Sequence, residues 1–174
     1  MRIGAVIAVC ALVSAGVMAS AAGAKPAHAE LKNAQGAKIG TAKFSSAANG
    51  VKVTVKVSQL TPGEHGIHIH TVGKCEAPDF KSAGGHFNPT SAHHGTKNAQ
   101  EPHPHVGDME NLNVGQNGKA SATFIISGAT LGDGQNSLFH EGGTALVIHA
   151  KADDLMSDPS GNSGDRIGCG VIEK

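Results

Sequence analysis

The 174-residue sequence contains no tryptophan, no tyrosine and five phenylalanines, and charged side chains make up 16% of it. So low a charge content excludes a helical bundle built on Ala, Leu, Glu and Lys, and no segment sustains a 3.6-residue apolar period. Basic and acidic side chains number 14 each. The total charge thus lacks the basic excess typical of nucleic-acid and membrane-surface binders. Cysteine is scarce, with three residues. What is abundant is glycine, at 24 positions, and histidine, at 11. Eight of the histidines fall between His65 and His105. The length suits one domain of ordinary size, and the composition fits a loop-rich β protein.

The amino terminus reads as a secretory signal peptide over residues 1–24, leaving 25–174 as the single mature domain. Arg2 supplies a short positive region, Ile3 to Met18 are almost wholly apolar or small, and Ala-x-Ala options follow at Ala19-Ser20-Ala21, Ala22-Gly23-Ala24 and Ala27-His28-Ala29. A retained anchor is the rival, disfavoured by the shortness of the run. A lipoprotein signal at Cys10 is weaker still, because Val9 precedes it. Cleavage removes Cys10 and leaves Cys75 and Cys169 in an exported, oxidising setting, periplasmic or secreted, where one disulfide is expected. It would close a loop of about 95 residues, worth roughly 4–5 kcal/mol in the chain-entropy account.

Period-2 alternation predicts strands over Ala27 to Lys32, Lys38 to Ser45, Val51 to Ser58, Glu64 to Thr71, Leu112 to Val114, Lys119 to Ile126, Ala145 to Ala150 and Gly170 to Glu173. In Val51-Lys52-Val53-Thr54-Val55-Lys56-Val57 the valines share one face. Asn33-Ala34-Gln35-Gly36, Asn49-Gly50 and Asn117-Gly118 supply turns. Short strands at this spacing point to a sandwich or Greek-key barrel. Residues 72–106 and 151–168 break the rhythm. They are long and rich in Gly, Pro, Asp and His, as functional loops are.

In Gly66-Ile67-His68-Ile69-His70 the isoleucines point to the core, and His68 and His70 face outward about 7 Å apart. Leu146-Val147-Ile148-His149 places His149 outward too. The first long loop adds His86, His94 and the run His105-Val106-Gly107-Asp108. Several histidines with one aspartate suit two ions. Nitrogen-only ligation favours Cu(II), and three histidines with one carboxylate favour Zn(II). A lone His-x-His is commonly surface polarity, and a metal-buffering tract would lack alternation with core residues. His65, His93, His103 and His140 have the weakest claims as ligands, and His28 lies in the lead-in.

Gly66-Ile67-His68-Ile69-His70, Gly85-His86-Phe87-Asn88-Pro89, His94-Gly95, His105-Val106-Gly107-Asp108, His149-Ala150-Lys151-Ala152-Asp153-Asp154 and Gly168-Cys169-Gly170-Val171-Ile172 together resemble copper/zinc superoxide dismutase of the secreted bacterial type. The similarity runs over about residues 27–173. The resemblance implies an all-β, eight-stranded, flattened Greek-key barrel, an immunoglobulin-like sandwich with two long functional loops. It implies copper on His68, His70, His86 and His149, and zinc on His86, His94, His105 and Asp108, with His86 bridging. Cys75 would pair with Cys169. Arg166 and His86 would be catalytic, with Arg166 guiding the superoxide anion. Asp153 would link His68 or His70 to His94. The second loop lacks a dense lysine pattern, so guidance falls to Lys74, Lys97 or Lys151. Neither nucleic acid nor, after cleavage, a membrane is expected as partner, and the assembly would be a monomer or homodimer.

Other function classes are an exported copper/zinc-binding protein without turnover and a structural module with a degenerate site. The complete ligand sets and Arg166 argue against both. A zinc hydrolase would need an open zinc position, which a four-ligand set denies it.

Overall fold

The computed structural model describes residues 25–102 and 104–174; the expected signal peptide and His103 lie outside them. Nine strand segments follow in chain order: β1 Ala27–Lys32, β2 Lys38–Ala47, β3 Gly50–Val57, β4 Gly63–His65, β5 Ile67–His70, β6 Leu112–Val114, β7 Ala120–Ser127, β8 Ala145–His149 and β9 Arg166–Val171. All named pairings are antiparallel. Seven strands form one sheet in the order β5-β8-β9-β1-β2-β3-β7, and β4 pairs with β6.

The alternation in the sequence explains the curl of this sheet. Leu31, Ile39, Phe44, Val51, Val53 and Val55 from one end share a single buried cluster with Ile67, Ile69, Leu146 and Ile148 from the other. The apolar face therefore closes on itself, as an all-β flattened barrel does. A smaller cluster of Phe80, Ala83, Ala145, Val147 and Cys169 packs elsewhere. Along β8, inward Leu146 and Ile148 alternate with Ala145 and Val147 of this second cluster, so the strand is buried on both faces.

Two strand boundaries differ from expectation. The segment predicted over Glu64 to Thr71 breaks at Gly66, where the chain leaves β6 and joins β8. Gly66 N–H donates to the Lys151 carbonyl at 2.8 Å, and its own carbonyl accepts from His149 N–H at 2.9 Å. A Cβ there would lie 2.7 Å from Ser163 Oγ and 3.1 Å from the His68 ring. The barrel thus turns a corner at a residue with no side chain. The last strand starts at Arg166, four residues before Gly170, and ends at Val171. The second loop is correspondingly shorter. Glycines at 168 and 170 hide the alternation, yet close packing demands them: a Cβ on Gly170 would lie 2.6 Å from the Glu30 carbonyl oxygen.

The corner at Gly66 gives a stability test. Gly66→Ala drives a methyl into buried Ser163 and should destabilise the fold by about 1–3 kcal/mol, read as a lowered Tm. Adding Ser163→Gly should recover part of that loss. Equal stability of Gly66→Ala and the parent would show that the corner has spare room.

Candidate metal centre

Ile67 and Ile69 anchor β5 in the core, so His68 and His70 point the other way. The sequence places them on an outer wall; both are nonetheless fully buried, because the first loop folds over them. That loop adds two short backbone segments to β5. Phe87 N–H donates to the Ile69 carbonyl at 2.8 Å, Ile69 N–H to Gly107 at 2.9 Å, and Gly107 N–H to Phe87 at 2.8 Å. Gly107 sits between these backbones, where a Cβ would come within 2.4 Å of the Ile69 oxygen. This docking brings His86 beside His70 and Asp108 beside His68.

Two four-residue donor sets result, and in each the ligand atoms lie within 4.8 Å of one another, as they do in the linking trio His68, His94 and Asp153. The first is His68, His70, His86 and His149; the second is His86, His94, His105 and Asp108. In the first set the outer nitrogens are already bonded. His68 Nε2–H donates to Asp153 Oδ2 at 2.6 Å, His70 Nδ1–H to the Gly84 carbonyl at 2.9 Å, and His149 Nδ1–H to Gly164 at 3.1 Å. Each bond leaves the other ring nitrogen as a bare lone pair aimed inward. His70 Nε2 and His149 Nε2 consequently face each other at 3.4 Å.

The second set gathers around Asp108. Its Oδ1 lies 2.8 Å from His86 Nδ1 and 3.3 Å from His105 Nδ1, and its Oδ2 lies 3.1 Å from His94 Nδ1. Oδ2 also accepts the Gly95 and His105 backbone N–H groups, at 2.8 and 3.1 Å. His86 belongs to both sets, turning Nδ1 to Asp108 and Nε2 to the first set. Among the described residues five buried side-chain nitrogens have no hydrogen-bond partner; four belong to these sets, His68 Nδ1, His86 Nε2, His94 Nδ1 and His105 Nδ1, and the fifth is His140 Nε2 outside them. Unpaired buried polar atoms are costly and rare. Four of them converging in two imidazole-rich sets fit two metal ions, one held by nitrogen alone and one by nitrogen and a carboxylate.

Asp153 joins the two sets. Its Oδ1 accepts from His94 Nε2–H at 3.0 Å while Oδ2 holds His68. This selects His68 over His70 as the partner on the first side. Several supporting residues carry no motif in the sequence. The Asn111 side-chain amide bonds the Asp153 backbone in both directions, at 2.9 and 2.8 Å. Asp158 accepts the His94 backbone N–H at 2.7 Å, and Asn98 joins the carbonyls of His94 and Met156. Gly161 presses on the Asp153–His94 contact, and any Cβ there would overlap Asp153.

Burial opposes charge on His68 and pushes it down to about 3 despite its bond to Asp153. Burial likewise lowers His149, to about 4. His70 and His86 move the same way for the same reason. His94 is the exception: burial works against its proton, but Asp108 and Asp153 outweigh it and hold it at about 9. Burial also disfavours the Asp153 and Asp108 carboxylates, yet their histidine partners hold both well below the ordinary range.

The sets open on a cleft of about 370 Å³ lined in part by His70, His86, His149 and Arg166. The Arg166 guanidinium donates to the carbonyls of Phe80 at 2.8 Å and Gly84 at 2.7 Å. Gly84 therefore positions both His70 and Arg166. The Cys75–Cys169 disulfide, with 5.6 Å between Cα atoms, ties the loop carrying these carbonyls to β9. The other described histidines stay outside the sets. His65 is buried with Nδ1 2.7 Å from the His149 carbonyl. His93 donates to Asp158 at 2.7 Å, His140 stacks on Phe87, and His28 is exposed on β1. Lys74, Lys97 and Lys151 are exposed, and none lines the cleft.

The copper/zinc superoxide dismutase family model matches residues 38–172. Superoxide dismutase [Cu-Zn] 1 of Aquifex aeolicus is 47% identical over 148 residues, covering 84% of this chain and 86% of its own. Superoxide dismutase [Cu-Zn] of Deinococcus radiodurans is 37% identical over 155 residues, with 84% and 83% covered. Among solved structures, a superoxide dismutase-like protein of Bacillus subtilis superposes with TM-score 0.79 at 37% identity, over 83% of this chain and 96% of that one. The Brucella abortus Cu/Zn enzyme gives 0.68 at 29%, over 86% and 100%.

Two solution outcomes follow. Folded His94 holds its proton more tightly than the ordinary 6.5, so its contribution to metal-free stability is complete below 6.5 and lost as pH rises through about 9. His68 and His149 act oppositely: their contribution is lost as pH falls from 6.5 toward 4 and 3. An ion taken up by the second set near pH 7 should therefore expel about one proton. Zinc titration calorimetry in buffers of differing ionisation enthalpy reads it, and a buffer-independent heat would refute it. Separately, Gly161→Ala should displace Asp153 from His94 and weaken zinc retention about 10–100-fold, measured by chelator competition.

Proposed function

The chain belongs to the copper/zinc superoxide dismutase family, whose metals are copper and zinc, and we propose that His68, His70, His86 and His149 hold copper while His86, His94, His105 and Asp108 hold zinc. The observation that carries this assignment is His86, a single imidazole offering one nitrogen to each donor set. The reaction is superoxide dismutation: two superoxide anions and two protons give dioxygen and hydrogen peroxide. Bound copper supplies the one-electron chemistry, alternating between its +2 and +1 states so that superoxide can both give and take an electron.

The protein's own residues do the rest. Arg166 is held with its guanidinium at the cleft by two carbonyls, which leaves its remaining N–H groups to attract and orient a small anion. A lysine could not be gripped at two points in this way. His86 Nε2 has no protein partner, so it is the atom at which a proton can be held beside the substrate and handed on. Asp108 keeps the opposite face of the same ring fixed through Nδ1. Asp153 accepts the Nε2–H of both His68 and His94 and so directs each ring's Nδ1 inward, toward the donor sets. His68 and His94 do not line the cleft. They serve as rigid walls behind His86, and solvent reaches the site from the Arg166 side.

We further propose that residues 1–24 are removed on export and that the mature enzyme works in the periplasm or outside the cell. The apolar run Ile3 to Met18 and the Cys75–Cys169 disulfide support this. The described residues contain no helix long and apolar enough to cross a membrane.

Purified exported protein should contain about one copper and one zinc per chain and show cyanide-sensitive dismutase activity. Zinc alone, with no activity after copper loading, would leave a binding protein. Arg166→Ala should lower turnover about 10–100-fold with copper still bound, because a charge-assisted contact contributes about 1.5–3 kcal/mol, and Arg166→Lys should recover it only in part. Full activity in Arg166→Ala would overturn the role given to Arg166.

A further inference from the structure

The neutral total charge averages two unlike halves. Residues 25–62 carry six lysines and one acidic residue, Glu30; residues 63–174 carry seven basic and 13 acidic side chains. Glu30 is already engaged by Lys38 at 2.7 Å and Lys32 at 3.5 Å. Lys43 on β2 and Lys52 and Lys56 on β3 are exposed. Among the described residues, the lysines that form ion pairs are Lys32, Lys38 and Lys81. The three unpaired lysines flank one another across the β2–β3 ladder, where Lys43 stands opposite Thr54, Ser45 opposite Lys52 and Thr41 opposite Lys56. Like charges so close repel unless something anionic lies over them. Together with Pro26, Thr41, Ser45 and Thr54 they line a groove of about 520 Å³.

We propose that this face of β2 and β3 docks the enzyme on an anionic phospholipid surface. Lys52 and Lys56 are four residues apart on one strand, about 13 Å, which is too far for a single phosphate to meet both. An array of separate headgroups satisfies all three ammonium groups, and the hydroxyls of Thr41, Ser45 and Thr54 offer a hydrogen bond beside each. The neighbouring strand favours a membrane over a free polyanion. Ile125 on β7 stands opposite Lys52 and is 47% exposed, and an apolar side chain beside the ammonium groups gains from a lipid surface and not from a free polyanion. β2 lies four strands from β5 in the sheet order. Docking therefore leaves the histidine cleft uncovered. The inference does not depend on the dismutase assignment.

The test uses exported protein whose amino terminus has been read by mass spectrometry, sedimented with phosphatidylglycerol-containing vesicles and with pure phosphatidylcholine vesicles. Binding is expected to the anionic vesicles alone at low salt, with release at about 0.5 M salt as screening shortens the range of the field. Each lysine should contribute about fivefold to the partition, so the triple variant Lys43→Gln, Lys52→Gln, Lys56→Gln should bind about a hundredfold more weakly. Its metal content and dismutase activity should be unchanged. Equal binding to both vesicle types, undiminished binding of the triple variant, or capture by inorganic polyphosphate without vesicle binding would each overturn the proposal.

Discussion

One carboxylate determines the geometry of the whole centre. Asp153 reaches from the second loop to His68 Nε2 on a barrel strand and to His94 Nε2 on the first loop. Those contacts fix which nitrogen of each ring faces inward, and they do so on both sides of His86. Without them His68 and His94 could each protonate the wrong nitrogen, and both donor sets would lose a lone pair. The carboxylate is held in turn. Asn111, adjacent to β6, grips its backbone, and Leu155 N–H donates to its Oδ1 at 2.6 Å. The barrel supplies His68, His70 and His149 directly, and the second loop acts on the centre through this aspartate, whose own freedom is removed by Asn111 and Leu155.

The loops around that aspartate are long. Phe80, Phe87 and Met109 root the first in the apolar clusters, and near the aspartate the two loops are joined by polar contacts and by glycines that let backbones touch. Gly95 has its α-carbon against the Leu155 carbonyl, and Gly161 lies on the Asp153–His94 pair. Any side chain at either position would push the loops apart and carry His94 with it. The disulfide acts at the other end, tying the segment that presents the Gly84 carbonyl to β9. Gly84 supports both His70 and Arg166, so one backbone oxygen relates the orientation of the substrate-guiding cation to that of a histidine.

Much of this was legible because the chemistry resides in residue types with fixed periods. Alternating isoleucine and histidine in β5 told which side each ring would take, and the same rule placed His149. The valine face of β3 foretold the core. Glycine-bearing elements were misplaced, since glycine contributes nothing to an alternation: the break at Gly66 and the early start of β9 both follow from close backbone approach, which only tertiary structure shows. Asn111, Asn98 and Asp158 were missed for a related reason. A polar residue in a polar loop gives no sign of its partner when that partner is a backbone group some 40 to 65 positions away. For Asp153, spacing left His68 and His70 equally eligible. Only the turn of the His70 ring toward Gly84 separates them.

The energetics tie folding to metal. Each unpaired buried nitrogen costs about 1–3 kcal/mol, and the two donor sets hold four. A cost of that order is comparable with the whole stability of a typical domain, about 5–15 kcal/mol. The barrel core is separate from these nitrogens, since its apolar cluster gathers side chains from β1, β2, β3, β5 and β8. The loops are different, because they enclose these bare nitrogens as well as apolar side chains such as Phe80, Phe87 and Met109. In the metal-free chain the proton on His94 between Asp108 and Asp153 is the one charge that partly stands in for an ion. Metal uptake replaces that proton with a stronger cation and converts the four costs into bonds. Bound ions would therefore stabilise the loops that enclose them, while the barrel and the disulfide fix where those loops sit.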